Sequence, residues 1–237
     1  MLKKSMRRLF PDYAILPLIS TGLMNLLAFQ GPKLLQLYTG TANAIDMTTA
    51  WDAALPFLPI WVLPYIGTFA FWTYQNIRVA QESPEKACRL AVADITAKLI
   101  CLVCFVALPT TNVRPTVEGS GVIPFLMRFI YRVDTPTNLF PSIHCFVAWL
   151  GTRFLYDSQI LGRRKTPVCI LCTLGSLTVF LSTLFTRQHV LADVFAGIAV
   201  AELGYWVSRI RPLTAAYGRL NERFMRSRLG RFLSWDR

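Results

Sequence analysis

The apolar positions of this chain gather into long runs, with polar residues confined to the stretches between them. Six runs stand out, at residues 13–29, 58–77, 90–108, 141–156, 167–185 and 190–207. Runs of this length and composition predict membrane-spanning helices, since a helix satisfies its own backbone hydrogen bonds in lipid. The first run follows a short basic segment, Met1 to Arg8. It is too long for a signal-peptide core, and no small-residue cleavage site follows, so it reads as an uncleaved first span. Pro17 lies near its start, where proline is tolerated.

The connections carry their own signals. Residues 30–51 read as a mixed loop, with Gly31-Pro32 as a turn and room for a short surface helix. Residues 78–89 form a polar turn in which Ser83-Pro84-Glu85 predicts a helix start. Residues 109–140 make the longest polar loop. It holds Thr111-Asn112-Val113-Arg114-Pro115, a Gly119-Ser120-Gly121 turn, and an apolar piece at 122–131 suited to the membrane interface. Residues 209–237 form a basic tail with periodic Leu220, Phe224, Leu229 and Phe232, the pattern of an amphipathic surface helix. The expected architecture is all-α: a polytopic membrane bundle of six transmembrane helices in a single integral domain, 1–237. It divides into a basic start (1–12), a six-helix core (13–208) carrying the loop 109–140, and the tail.

Composition supports the membrane reading. Only 16% of the 237 residues are charged and 54% are hydrophobic, where a soluble domain carries about a quarter charged residues. The formal net charge of +12 suggests nucleic acid in a soluble protein. Here the Lys and Arg sit at the ends of apolar runs, and no nucleic-acid-binding motif is present, so anionic membrane lipids are the expected partners and nucleic acid is not. Basic residues concentrate in the N-terminus, the 78–89 turn, the 163–165 turn and the tail. The positive-inside rule makes that side cytoplasmic, with both termini on it. The loop before His144 and the turn before His189 then share the opposite, non-cytoplasmic face, of a plasma (inner) membrane.

Six cysteines include Cys101/Cys104 and Cys169/Cys172 at C-x-x-C spacing. On a helix that spacing puts two small apolar side chains on one face, and a zinc site would want four ligands in polar loops. Asp94 and Lys98, four apart, read as an ion pair near one membrane surface, with a buried functional pair as the alternative.

The chemistry centres on the chain's two histidines. Each stands where a polar loop meets an apolar run: Asn138-Leu139-Phe140-Pro141-Ser142-Ile143-His144, and His189-Val190-Leu191-Ala192-Asp193. Free N–H groups at the helix start behind Ser142 favour an anion, phosphate above all. Arg114 and Arg187 offer forked donors to phosphate oxygens. Asp193, four residues from His189, can hold one imidazole nitrogen protonated and leave the other free to attack. His144 can protonate the leaving oxygen. This is a set for phosphoryl transfer without metal.

Asn138-x-Phe140-Pro141-Ser142-x-His144 and His189-x-x-x-Asp193-x-x-Ala196-Gly197 resemble motifs of the type-2 phosphatidic-acid phosphatase family, membrane lipid phosphatases and phosphotransferases related to vanadium haloperoxidases. Arg114-Pro115 resembles the end of that family's first motif. The resemblance runs over about residues 114–197 and implies a phosphohistidine at His189, oriented by Asp193. It also implies His144 as general acid, phosphate binding by Arg114 and Ser142, and no metal or other cofactor. Two positions depart. Ala107 stands where the family has a lysine, and Ser182-Thr183 where it has Ser-Arg; Arg187 is the candidate substitute cation. The run from Ser182 to His189 resembles a subgroup containing inositol-phosphorylceramide synthase-like proteins. The expected reaction is hydrolysis of a lipid phosphate or polyprenyl diphosphate. Transfer of a phospho-headgroup to a lipid acceptor is the alternative, and an inactive structural membrane protein the second. A transporter is disfavoured because the halves show no repeat. The sequence leaves the oligomeric state open.

Overall fold

A computed structural model describes residues 10–39 and 44–234. The chain is helical almost throughout. In order, the helices are α1 (Ile15–Thr39), α2 (Ala50–Ala54), α3 (Val62–Ala80), α4 (Pro84–Ala107), α5 (Val122–Val133), α6 (Ile143–Tyr156), α7 (Lys165–Phe185), α8 (Leu191–Val207), α9 (Arg211–Arg226) and α10 (Arg228–Leu233). Two short parallel strands, β1 (Ile45–Asp46) and β2 (Thr110–Thr111), pair Ile45 with Thr110 and Asp46 with Thr111. They tie the segment after α1 to the start of the long loop.

Each of the six apolar runs forms a helix. Among the described residues, three helical segments are long and apolar enough to cross a membrane: Asp12–Leu34, Pro84–Ala107 and Gly162–Phe185. A fourth is reached if Leu191–Val207 and Arg211–Arg226, which meet at a 79° bend, count as one. At about 1.5 Å per residue the 14-residue α6 spans only about 21 Å, short of a bilayer core of about 30 Å.

Helix α1 departs from the sequence reading. The Gly31-Pro32 turn is absent, and α1 continues through Pro32 to Thr39. Proline removes one hydrogen bond from a helix, and an apolar helix with neighbours to lean on can absorb that loss. The basic segment 1–9 lies outside the described residues, as do 235–237. Ser83 does start α4: its Oγ accepts from the Lys86 N–H, with Pro84 in the first turn. Thr49 and Asp52 cap α2 reciprocally. The 119–121 turn uses glycine where positive φ demands it, at Gly119 (83°) and Gly121 (107°).

The main core cluster unites α4, α6 and α8 through Ala93, Ala97, Phe105, Phe146, Phe154, Ala201 and Tyr205. Cys101 and Cys172 belong to it, and all six cysteines are free thiols. Several polar groups inside the bundle are paired across helices. Gln75 Nε2 on α3 donates to the Ala148 carbonyl at 3.2 Å and to Thr152 Oγ1 at 2.7 Å, and Thr152 Oγ1 lies 2.8 Å from Ser176 Oγ. Such bonds hold apolar helices together where burial alone gives little preference.

Asp94 and Lys98 form the ion pair their spacing predicts, and it is buried between helices. Their side chains meet at 2.7 Å in the middle of α4, both buried, and Lys98 Nζ also donates to the Thr21 carbonyl of α1 at 3.1 Å. They neutralise each other between helices instead of reaching a helix end.

The bundle has two chemically distinct ends. At one, Asp157 sits among Arg89 (3.9 Å), Arg153 (3.8 Å) and Arg209 (3.5 Å) and accepts a hydrogen bond from Tyr205. Burial pushes the Asp157 carboxyl up. The Tyr205 hydroxyl, with Lys86, Arg153 and Arg209, outweighs it and holds the group below its ordinary value. The other end carries the long loop, α2, and the starts of α6 and α8.

Candidate functional site

Helices α6 and α8 begin side by side. The Ser142 N–H donates to the Asp193 carbonyl at 3.0 Å, stitching the two helix starts together. Their approach depends on Gly197. A Cβ there would stand 2.7 Å from the Ser142 carbonyl oxygen and 3.1 Å from Cys145 Cβ, so any larger residue would force the helices apart. Ser142 caps α6, its Oγ accepting from the Cys145 N–H at 3.3 Å.

This packing brings the two histidines together. The ring centroids of His144 and His189 lie 5.7 Å apart. His189 Nδ1 lies 3.1 Å from Asp193 Oδ2, and the Val190 N–H donates to the same oxygen at 3.0 Å. Asp193 is fully buried, and a carboxylate there fixes the Nδ1–H tautomer and leaves Nε2 with its lone pair. On the far side of His144 stand Tyr65 (ring centroids 4.8 Å apart) and Trp72 (5.4 Å).

A tight turn aims His189. After α7 ends, Arg187 adopts φ 54°, and the Gln188 and His189 N–H groups both return to the Thr183 carbonyl, at 2.9 and 3.1 Å. Left-handed backbone at a non-glycine residue costs free energy and persists only where its surroundings fix it. Here they do. The Arg187 guanidinium donates to the carbonyls of Asp52, Ala53 and Leu55, and the Asn112 amide donates to the Arg187 carbonyl at 3.0 Å. Asp52 Oδ1 accepts from the Leu191 N–H at 2.7 Å, capping α8 two residues past the histidine. Burial pushes the Asp52 carboxyl up. Hydrogen bonds from Thr49 and Leu191, with Arg187 nearby, outweigh it and hold it below the ordinary value.

The two arginines are therefore already engaged. Arg187 is turned onto the 52–55 backbone. Arg114 donates to the Asp134 carbonyl and to Gln188 Oε1, with its guanidinium 4.8 Å over the Tyr131 ring. Burial pulls its pKa below the ordinary arginine value, against the charges of Asp134, Tyr65 and Tyr131. Its Nε and the neighbouring Gln188 Nε2 are buried donors without a hydrogen-bond partner among the described residues. Thr183 is buried against Cys145, and Ala107 lies exposed at the end of α4.

Several participants carry no motif in the sequence. Thr110 Oγ1 accepts from the Leu139 and Phe140 N–H groups at 2.9 and 3.0 Å and shapes the entry to Pro141. Tyr65 donates to Asp134 Oδ2 at 2.7 Å, and Tyr131 donates to the Thr186 carbonyl at 2.8 Å. Burial pushes the Tyr131 phenol up to about 12. The extension of α1 brings Lys33 within electrostatic reach of Asp134 and Arg114. Asp52, which caps α8, belongs with them; its one local signal is the Thr49-x-x-Asp52 spacing of a capping box. A cavity of about 320 Å³ between α1, α3 and α4 reaches Trp72 but neither histidine.

No protein-family profile, curated protein sequence or solved structure matches the chain.

Proposed function

We propose that the chain is a membrane phosphoryl-transfer enzyme of the type-2 phosphatidic-acid phosphatase kind. It hydrolyses a phosphomonoester or diphosphate on a membrane lipid through a phosphohistidine. The observation that carries this reading is the His144–His189–Asp193 cluster at two adjoining helix starts, with His189 Nδ1 3.1 Å from Asp193 and the histidine rings 5.7 Å apart. His189 Nε2 attacks phosphorus and the bond to the lipid oxygen breaks. His144 gives that oxygen its proton. Water then attacks the phosphohistidine, His144 takes a proton from it, and phosphate leaves. Ser142 at the α6 start and Arg114 supply the anion-binding side, Lys33 adds positive charge beside Arg114, and Arg187 contributes its charge from the turn it holds. No metal or other cofactor enters this scheme.

The same reading makes α3 and α6 spans as well, giving six, with both termini cytoplasmic. The histidines then face the non-cytoplasmic side of a plasma (inner) membrane. The gathering of Arg89, Arg153 and Arg209 at the opposite end supports that orientation.

A second reading, transfer of a phospho-headgroup to a lipid alcohol, is favoured by one observation. Arg187 is spent on backbone carbonyls, which leaves fewer free cations for a doubly charged phosphomonoester than for a singly charged diester. The deciding experiment incubates purified protein with a panel of lipid phosphates, without divalent metal, and follows free phosphate and new lipid separately. Phosphate release blocked by vanadate supports hydrolysis. A labelled donor that yields new lipid faster than free phosphate supports transfer, and turnover in His189→Ala refutes both.

A further inference from the structure

At the end of the bundle away from the histidines, a cavity of about 1140 Å³ opens between the start of α4 and the helix α9. Helix α8 separates the two regions. His189 precedes its first residue and Ser208 follows its last, so its 17 residues set them about 25 Å apart. Five arginines line the cavity, Arg89, Arg209, Arg211, Arg219 and Arg226, against two glutamates, Glu85 and Glu222. Arg209 is engaged by Asp157 and Tyr205. Arg211, Arg219 and Arg226 are exposed and form no hydrogen bond or ion pair among the described residues. Such a lining attracts an anion.

Two sets of buried polar atoms sharpen the ligand. Arg89 is half-buried, and its buried Nε and Nη2 have no hydrogen-bond partner among the described residues; Asp157 Oδ2 stands 3.9 Å from Nη2, an ion pair beyond hydrogen-bonding reach. Asn221 is 4% exposed, and its Nδ2 donates to the Tyr13 carbonyl at 2.8 Å, while its Oδ1 has no partner among the described residues. A buried donor and a buried acceptor left open each cost free energy unless something fills them. A phosphate oxygen answers the first and a hydroxyl answers the second. The other face of α9 tells where such a group comes from. Leu213 and Leu220 are exposed on the face turned away from the cavity-lining residues, a pattern suited to a helix lying on a lipid surface, which brings the cavity to headgroup level.

We propose that this cavity is a headgroup site for an anionic phospholipid bearing a hydroxylated headgroup. The lipid is drawn from the leaflet on the arginine-rich side and is bound independently of the histidine site. Arginine provides forked recognition of the phosphate, Asn221 accepts from the headgroup hydroxyl, and the acyl chains stay in the leaflet. Gly218 offers a clean way to close it. It lines the cavity, and a Cβ there would meet nothing within 4 Å, so a side chain can start there without a clash and extend into the cavity.

The test is thermal unfolding of the full chain in neutral detergent with short-chain phosphatidylglycerol, short-chain phosphatidylcholine, glycerol 3-phosphate or inorganic phosphate. Phosphatidylglycerol in hundredfold excess over its Kd is expected to raise Tm by roughly 5 °C or more. The shift should disappear in Gly218→Leu and shrink in Arg219→Gln/Arg226→Gln, while His189→Ala keeps it in full. An equal shift with phosphatidylcholine, or an undiminished shift in Gly218→Leu, overturns the site. An equal shift with inorganic phosphate or glycerol 3-phosphate overturns the lipid source. Loss of the shift in His189→Ala places the ligand at the histidines and overturns the inference as well.

Discussion

The Ser142 backbone N–H donates to the Asp193 backbone carbonyl at 3.0 Å. One hydrogen bond thus joins the residue that caps the His144 helix to the residue that orients His189. The two halves of the proposed reaction centre share a backbone frame, so their spacing is set by main chain rather than by flexible side chains. That frame makes the following outcomes specific.

His189→Ala is expected to remove turnover entirely while leaving Tm within a few degrees of wild type, because among the described residues its ring hydrogen-bonds only Asp193. His144→Ala should lose about 10²–10⁴-fold in kcat, the usual contribution of a general acid. Substrates with a good leaving group such as nitrophenolate should lose far less. Equal losses on poor and good leaving groups would rule out the acid role.

Asp193→Asn keeps the size of the side chain but can offer its amide N–H to Nδ1, favouring the other imidazole tautomer. Activity should fall about 10²–10⁴-fold by steady-state kinetics. The mechanism does not survive an Asp193→Asn enzyme with wild-type kcat.

Gly197→Ala places a Cβ 2.7 Å from the Ser142 carbonyl oxygen. Backbone cannot yield as a side-chain tip can, so the expected cost is about 1–3 kcal/mol in stability. Turnover should drop too, since the same contact spaces the histidines. Gly67→Ala is the control, because a Cβ there meets nothing within 4 Å.

Asp94→Leu should destabilise by about 3–5 kcal/mol by leaving Lys98 charged and unpaired between helices. Asp94→Leu/Lys98→Leu should recover most of that loss in a denaturation assay. A single variant as stable as the double would mean that the pair carries no net charge interaction.

Acid should loosen both ends of the bundle. Asp52 and Asp157 have carboxyls held below their ordinary value in the folded protein. A depressed folded pKa contributes stability that is fully present above the unfolded value of about 3.9 and is lost as pH falls through the folded value. Tm measured in detergent from pH 7 downward should therefore fall most steeply below about pH 4. Asp157→Asn should start lower and show a shallower fall over that window; an unchanged slope would remove Asp157 from the account.

What could be read in advance followed from local rules. Each apolar run became a helix, and Ser83 and the 119–121 glycines did what their chemistry requires. The end of α1 was hidden, since Gly31-Pro32 is a turn signal locally and only neighbouring helices let α1 continue. The site divided the same way. His144, His189, Asp193 and Ser142 lie on two short stretches whose helical spacing is visible, and they meet. The arginines were harder, because a guanidinium's partners are set by tertiary contacts. Nothing around position 187 foretells that its side chain turns to carbonyls more than 130 residues earlier. Tyr65, Gln188 and Thr110 are ordinary residue types whose roles exist only in three dimensions.

The clamp of Arg187 on the 52–55 backbone has a consequence for biosynthesis. The receiving carbonyls are made and inserted early, and the arginine that fills them emerges only after α7 has been synthesised. Asp52 then waits for Leu191, on the helix that follows. A ribosome-bound or truncated chain ending before residue 187 thus has the platform but not the turn that aims His189. The order of synthesis delays the setting of that histidine until nearly the whole bundle has been made.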